Sequence, residues 1–172
     1  MALQKIDIQT LSFNPFTKIS QEWALLSAGT PNHAGTMTVS WGGVGHIWNK
    51  DVVTVYVRKS RYTKEFLDSG DTFTLSFYDS SQKQILSYLG SVSGRDENKI
   101  EKCGLTLAYS HDALYFEEAK LVFVCRKMCH VPLTPETFDD PALDASIYGD
   151  KDYHTLYIGE ILEVWKQRQS FL

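Results

Sequence analysis

The chain is short of several things, and each shortage narrows its class. It has no excess of positive charge. Its 17 Lys and Arg stand against 21 Asp and Glu, a net charge of −4, so no global basic field draws it to nucleic acid or anionic lipid. Its longest apolar runs, such as residues 121–125, fall far below the roughly 20 residues a helix needs to cross a bilayer. The opening MALQKIDIQTL lacks the apolar centre of a secretory signal. Cysteine is scarce, and Cys103, Cys125 and Cys129 fit reduced thiols. These absences set the expectation of a cytoplasmic protein with no membrane or nucleic-acid partner. No repeat, low-complexity segment or linker divides the 172 residues. One domain is expected over residues 1–172, with its core at about 19–165 and a frayed tail at 166–172.

Familiar catalytic signatures are missing too. Gly42-Gly43-Val44-Gly45 lacks both the G-x-G-x-x-G spacing and a following Lys-Ser/Thr, so it reads as a permissive turn or sharply bent strand. No nucleophile motif accompanies a Ser–His–Asp or Cys–His order. Cys125 and Cys129-His130 carry zinc-type ligands. In a regular strand, however, positions 125 and 129 share a face roughly 13 Å apart, and no second pair completes a site. No metal is expected.

Aromatics are abundant at 13%, which favours sheets. Strands are expected at residues 21–29, 35–41, 52–57, 72–77, 105–109, 114–129 and 153–165. The run at 52–57 should be buried on both faces and 72–77 on one. A turn or bulge is placed near Glu117-Glu118, and Gly159 marks a bulge or close approach. Helical spacing appears at 60–69, closed by Gly70. A second helix should open with a Ser81/Gln84 capping box and end at Gly90, and a third should span 96–103. Thr134-Pro135 begins a helical turn, and 139–152 reads as irregular. Strands outnumber helices without a βαβ rhythm, so the fold class is mainly β, an antiparallel barrel with short peripheral helices.

Two turns carry hydroxyl and guanidinium groups. Residues 58–63 join a strand exit to a helix start. Free amides, Ser60 and Thr63 hydroxyls, and Arg58 and Arg61 there suit a phosphate. The same residues also read as a solvated basic turn with Ser60 as an N-cap. Residues 91–95, with Ser91, Ser93, Gly94 and Arg95, form a second anion-binding turn or a plain surface loop. Thr36, Thr38 and Ser40 alternate with Met37, Val39 and Trp41, so short side chains would let a flat ring lie along the strand. Trp41 and Trp48 read as core or as stacking partners. His154 reads as a substrate-pocket residue or a satisfied structural histidine. A ligand with a flat polar ring at one end and a phosphate at the other fits this pattern, and flavin mononucleotide (FMN) is one.

The stretches TMTVSWGGVG, VYVRKSRYTKEFL, FTLSFY, LSYLGSVSGRDENKI and DYHTLYIGEI occur in order. Over residues 23–164 the chain resembles the flavin reductase-like, flavoredoxin-type branch of the FMN-binding split-barrel proteins. The resemblance implies a six-stranded antiparallel Greek-key split β-barrel, working as a homodimer with FMN near the subunit interface. It implies a ring along Thr36, Met37, Thr38, Ser40 and Trp41. Phosphate and ribityl groups would meet Arg58, Ser60, Arg61, Tyr62 and Thr63, with Ser91, Ser93 and Gly94 closing the site. The implied activity is that of an oxidoreductase taking hydride from NADH or NADPH and passing electrons onward to a small molecule or a redox partner protein. A flavoredoxin-like electron carrier and a non-catalytic module are the alternatives.

Overall fold

The computed structural model describes residues 2–168. Ten strands alternate with short helices. The N-terminal half contains β1 (Leu3–Ile6), α1 (Pro15–Thr17), β2 (Ala24–Thr30), β3 (His33–Val39), β4 (Gly42–Ile47), β5 (Lys50–Arg58), α2 (Thr63–Ser69), β6 (Thr72–Phe77) and α3 (Lys83–Ser91). After these come α4 (Lys99–Lys102), β7 (Leu107–Ser110), β8 (Ala113–Phe116), β9 (Leu121–Pro132), α5 (Pro141–Ile147) and β10 (His154–Gln167). The main sheet is antiparallel with order β3-β2-β6-β9-β10-β5-β4, and β1 pairs with β10. β7 and β8 form a separate hairpin. The fold is therefore the expected antiparallel β class with short helices, although eight strands join the main sheet rather than six.

Period-2 alternation explains the two cores. Leu26 and Ala28 of β2, Val53, Val55 and Val57 of β5, Phe73, Leu75 and Phe77 of β6, and Phe123 and Cys125 of β9 fill one cluster. Residues from both arms of the sheet meet there, so the sheet curls around it, while β3 and β4 are its edges, unpaired among the described residues. The opposite faces of β2 and β9 supply Leu25, Val122 and Val124 to a second cluster with Leu86, Leu89, Ala113 and Phe116. That second layer corrects the half-buried reading of β6. Thr74 and Ser76 are buried as well, and the Thr74 hydroxyl donates to the Leu114 carbonyl at 2.5 Å. Conversely, β5 alternates: Thr54 and Tyr56 are only half-buried between buried valines.

Other boundaries moved for local reasons. Trp23 has φ 66°, so β2 starts at Ala24 and not at residue 21. The glycine stretch at 42–45 is strand, registered against Val52–Val55 of β5. The Asp79 carboxylate accepts from the Ser81 amide, so Asp79 caps the turn that Ser81 was expected to open. Gly90 lies inside α3, which runs on to Ser91. The stretch at 139–152 contains α5, with Asp140 as N-cap and Pro141 in the first turn. Lys166 and Gln167 are paired in β10 rather than frayed; the rest of the expected tail, from residue 169, lies outside the described residues. A bulge between Ile158 and Gly159 sets Cys129 against Ile158 and His130 against the core residue Tyr157. Cys129 therefore does not share Cys125's face, as a regular strand would require.

Candidate functional site

β3 is an edge strand with α3 and the start of α2 packed beside it. A Cβ on Gly90 would lie 3.0 Å from the Thr38 Cβ, so the glycine at residue 90 eases the close approach of α3 to β3. The Thr38 hydroxyl donates to the Leu86 carbonyl and ties the two elements together. Thr36 is buried, and its hydroxyl is bonded to Ser27 at 2.8 Å. Gly35 admits the Phe66 ring, which a Cβ would meet at 2.6 Å. Ser40 and Trp41 lie beyond the strand's end at Val39.

The turn from Arg58 to Thr63 divides its donors among different partners. Arg58 reaches toward the segment preceding β10. It donates to the Asp152 carbonyl at 3.1 Å and the Ile147 carbonyl at 3.2 Å, and it pairs with the Asp150 carboxylate. Ser60 gives its amide to Asp152 at 3.1 Å and its hydroxyl to the same carboxylate at 2.5 Å. Arg61 donates to the Gly90 carbonyl at 2.9 Å, and burial lowers its affinity for a proton against the opposing pull of Asp152. The amides of Tyr62 and Thr63 have no acceptor among the described residues.

The second turn is joined to the first. Arg95 donates to the Ser60 carbonyl at 3.0 Å, pairs with Glu65, and lies 4.9 Å from the Tyr62 ring centroid. Gly94 sits under that ring, where a Cβ would be 2.8 Å from Tyr62 Cδ1. Ser93 Oγ accepts from the Arg95 amide, and the Ser91 hydroxyl caps Tyr88. Just beyond lies Lys99, which the sequence reading did not single out. It is buried, and its ammonium donates to the Leu89 and Val92 carbonyls at 2.7 and 2.8 Å. Burial first, and the Arg61 guanidinium second, push its pKa down to about 8. Its place in the charged run Arg95 to Lys102 gave no hint of this, because such runs are usually solvated.

These side chains line two clefts. The larger, about 790 Å³, is bounded by Thr36, Met37, Ser60, Arg61, Tyr62, Thr63, Ser91, Ser93, Gly94, Arg95 and Lys99, among others. The smaller, about 260 Å³, is bounded by Met37, Thr38, Ser40, Trp41, Tyr56, Arg58, Arg61, Gly90 and His154. The candidate phosphate residues other than Arg58 lie on the larger cleft. The candidate ring residues other than Thr36 lie on the smaller, and Met37 and Arg61 line both. Asp96, Glu97 and Glu101 also border the larger cleft, but Arg61 and Lys99 are desolvated and neither forms an ion pair among the described residues, so the part of the cleft around them suits an anion. That donor set fits a phosphate monoester.

His154 is buried, and its ring lies 5.3 Å from that of Trp41. Burial, and then Arg58, lower its pKa, so it is neutral near pH 7. Trp41 and Trp48 are 50% and 55% exposed; neither is a core residue.

A sequence model described as "Flavin reductase like domain" matches residues 16–171. No curated protein matches the sequence. Among solved structures, an FMN-binding domain of a flavin reductases-like enzyme from Shewanella baltica OS155 superposes with a TM-score of 0.68 at 19% identity. That match covers 95% of this chain and 76% of the other. Flavoredoxin from Methanosarcina acetivorans gives 0.66 at 23% identity, covering 98% and 78%. Flavoredoxin of Desulfovibrio vulgaris (Miyazaki F) gives 0.67 at 20% identity, covering 96% and 78%. At these identities the likeness establishes the fold.

Proposed function

The chain belongs to the flavin reductase-like family, and from that premise we propose that it is an FMN-binding flavoprotein that takes hydride from NADH or NADPH and passes electrons to a second acceptor. The observation that carries the reading is the junction of the two clefts at Arg61. A cleft holding two desolvated cations runs into a cleft walled by short hydroxyl side chains and an exposed indole, as a ligand with a phosphate and a flat ring requires.

Bound FMN would supply the hydride-accepting chemistry, as flavin cofactors do. The protein's part is binding and electrostatics. Arg61, Lys99 and the free Tyr62 and Thr63 amides would hold the phosphate. Ser60 engages it only by exchanging its bond to Asp152, whereas Arg58 stays with Asp150, Asp152 and Ile147. Met37, Thr38, Ser40 and Trp41 would flank the ring, where positive charge at Arg61 favours added negative charge. Ser91, Ser93 and Gly94 shape the larger cleft by holding the loop and the Tyr62 ring. We further propose a cytoplasmic homodimer formed around the exposed Trp41, Ile47 and Trp48. No helix among the described residues is long and apolar enough to cross a membrane.

The test is an absorbance spectrum of the purified protein, repeated after FMN titration and after anaerobic NADH or NADPH. The expected result is a flavin spectrum that bleaches on addition of one nicotinamide. Flavin that binds but is reduced quickly only by a partner protein would make the chain an electron carrier. No flavin uptake would refute the proposal.

A further inference from the structure

His154, which lines the smaller cleft, is one half of a buried pair. The Tyr148 phenol lies 2.7 Å from His154 Nδ1, and the two rings meet edge to face at 5.5 Å. Tyr148 is itself fixed on three sides. It stacks on Tyr153 at 4.8 Å, packs against Phe138 at 5.4 Å, and lies beneath the Arg58 guanidinium at 5.3 Å. It is the C-cap of α5, so the excursion between β9 and β10 delivers it to the start of β10.

The hydrogen bond has a direction. The phenol is buried; the His154 backbone amide can donate to its oxygen, but its hydroxyl proton has no acceptor other than Nδ1 among the described residues. If Nδ1–H donated to it, the phenol proton would be left without an acceptor, which is the costly arrangement in a dry site. With the phenol donating instead, Nδ1 is the acceptor and the ring proton must reside on Nε2. Burial keeps the phenol protonated, and burial with Arg58 opposes an imidazolium, although Asp152 favours one. Nε2 has no partner among the described residues, and His154 lines the cleft beside Trp41.

We propose that Tyr148 is a positioning residue: it locks His154 into the Nε2–H tautomer, so that the cleft offers a single uncharged donor for a carbonyl oxygen of a planar ligand lying against Trp41. The identity of that ligand rests on the flavin reading, with the carboxamide of a reduced nicotinamide as the matching group; the tautomer does not.

Long-range ¹H–¹⁵N correlation spectra at neutral pH, recorded on the protein without added flavin, test the geometry. The expected result is a His154 ring with Nε2 protonated and Nδ1 bare. Tyr148→Phe keeps the stacked ring and should yield a mixture containing the Nδ1–H form. An Nδ1–H tautomer or an imidazolium in the unaltered protein, or an unchanged tautomer in Tyr148→Phe, would overturn the proposal. Steady-state oxidation of NADH by the flavin-loaded protein tests the ligand. Tyr148→Phe should raise KM about two- to tenfold, the worth of one neutral hydrogen bond, while kcat is held. It should have no further effect in a His154→Ala background. An unchanged KM, or effects of the two changes that simply add, would refute the recognition role.

Discussion

Lys99 is a buried ammonium held near the Arg61 guanidinium, and that is unfavourable unless something negative joins it. Its pKa of about 8 gives the expectation a sign. The proton is held below that value and lost above it in the free protein, and a bound phosphate would raise the pKa. FMN affinity should therefore be constant from about pH 7, where the phosphate is already a dianion, to about pH 8 and fall above it, toward tenfold per pH unit, until the bound-state pKa is reached. Lys99→Met should weaken binding and flatten this dependence. Titrations at pH 7 and pH 9 measure both, and a slope unchanged in Lys99→Met would assign the titration elsewhere. Arg61→Ala should cost roughly 1.5–3 kcal/mol of FMN binding, the worth of a charge-assisted contact. Unchanged affinity would move the phosphate out of the larger cleft. Cys125 belongs to a different class. It is fully buried in the main core, and burial pushes its thiol far above the ordinary range. Cys125→Ser should lower stability by about 1–3 kcal/mol through an unpaired hydroxyl and leave flavin content unchanged. Loss of flavin from a folded variant would show that the thiol matters.

At the scale of elements, close approach sets both what was readable and what was not. Gly159 was legible as a bulge or contact point because glycine within a β-rich run has few other uses. A Cβ there would lie 2.5 Å from Phe73 Cζ and 3.0 Å from Cys125 Cβ. Gly159→Ala should therefore cost about 1–3 kcal/mol, a fall in Tm of several degrees for a domain of this size. Differential scanning calorimetry reads it, and an unchanged Tm would mean that Phe73 can turn aside. Elements whose pattern is local were readable in the same way: α2 closes at Gly70, and β6 alternates at period 2. Elements defined by a distant partner were not. Half of β4 is glycine, with only Val44 and Ile47 apolar, and it is a strand because β5 lies beside it. β1 exists because β10 runs on past Val164 to receive it. α5 carried a readable signal in Asp140-Pro141, but the acidic, proline-containing stretch around it matched a loop equally well. For the site, the two turns and the β3 strand were legible as types of residue. Their partition into two clefts, the diversion of Arg58 and Ser60 to Asp152, and the burial of Lys99 depend on long-range contacts that spacing does not encode.

At the scale of the molecule, the curled sheet leaves β4 as an edge that no described residue pairs on its outer side. Edges usually carry charge or are covered; this one ends in a tight hairpin with Trp48 and Asn49 at φ 54° and 55°. Left-handed backbone is unfavourable for tryptophan, and the turn displays Trp48 and Ile47 at 55% and 39% exposure. Trp41, also half-exposed, stands at the opposite end of β4, where it lines the smaller cleft. Exposed aromatic side chains at both ends of an edge strand, one of them beside a ligand cleft, are what a dimer that shelters a planar cofactor would use. Sedimentation velocity should therefore show a dimer, and Trp48→Glu should convert it to monomer by burying a charge at the interface. Because Trp48 adds nothing to either core, the variant should keep its far-ultraviolet circular dichroism while its FMN affinity falls along with the dimer. If the unaltered chain sediments as a monomer, or if the Trp48→Glu protein keeps its dimeric mass, the β4 edge is not the interface and the ring cleft must be complete within one chain.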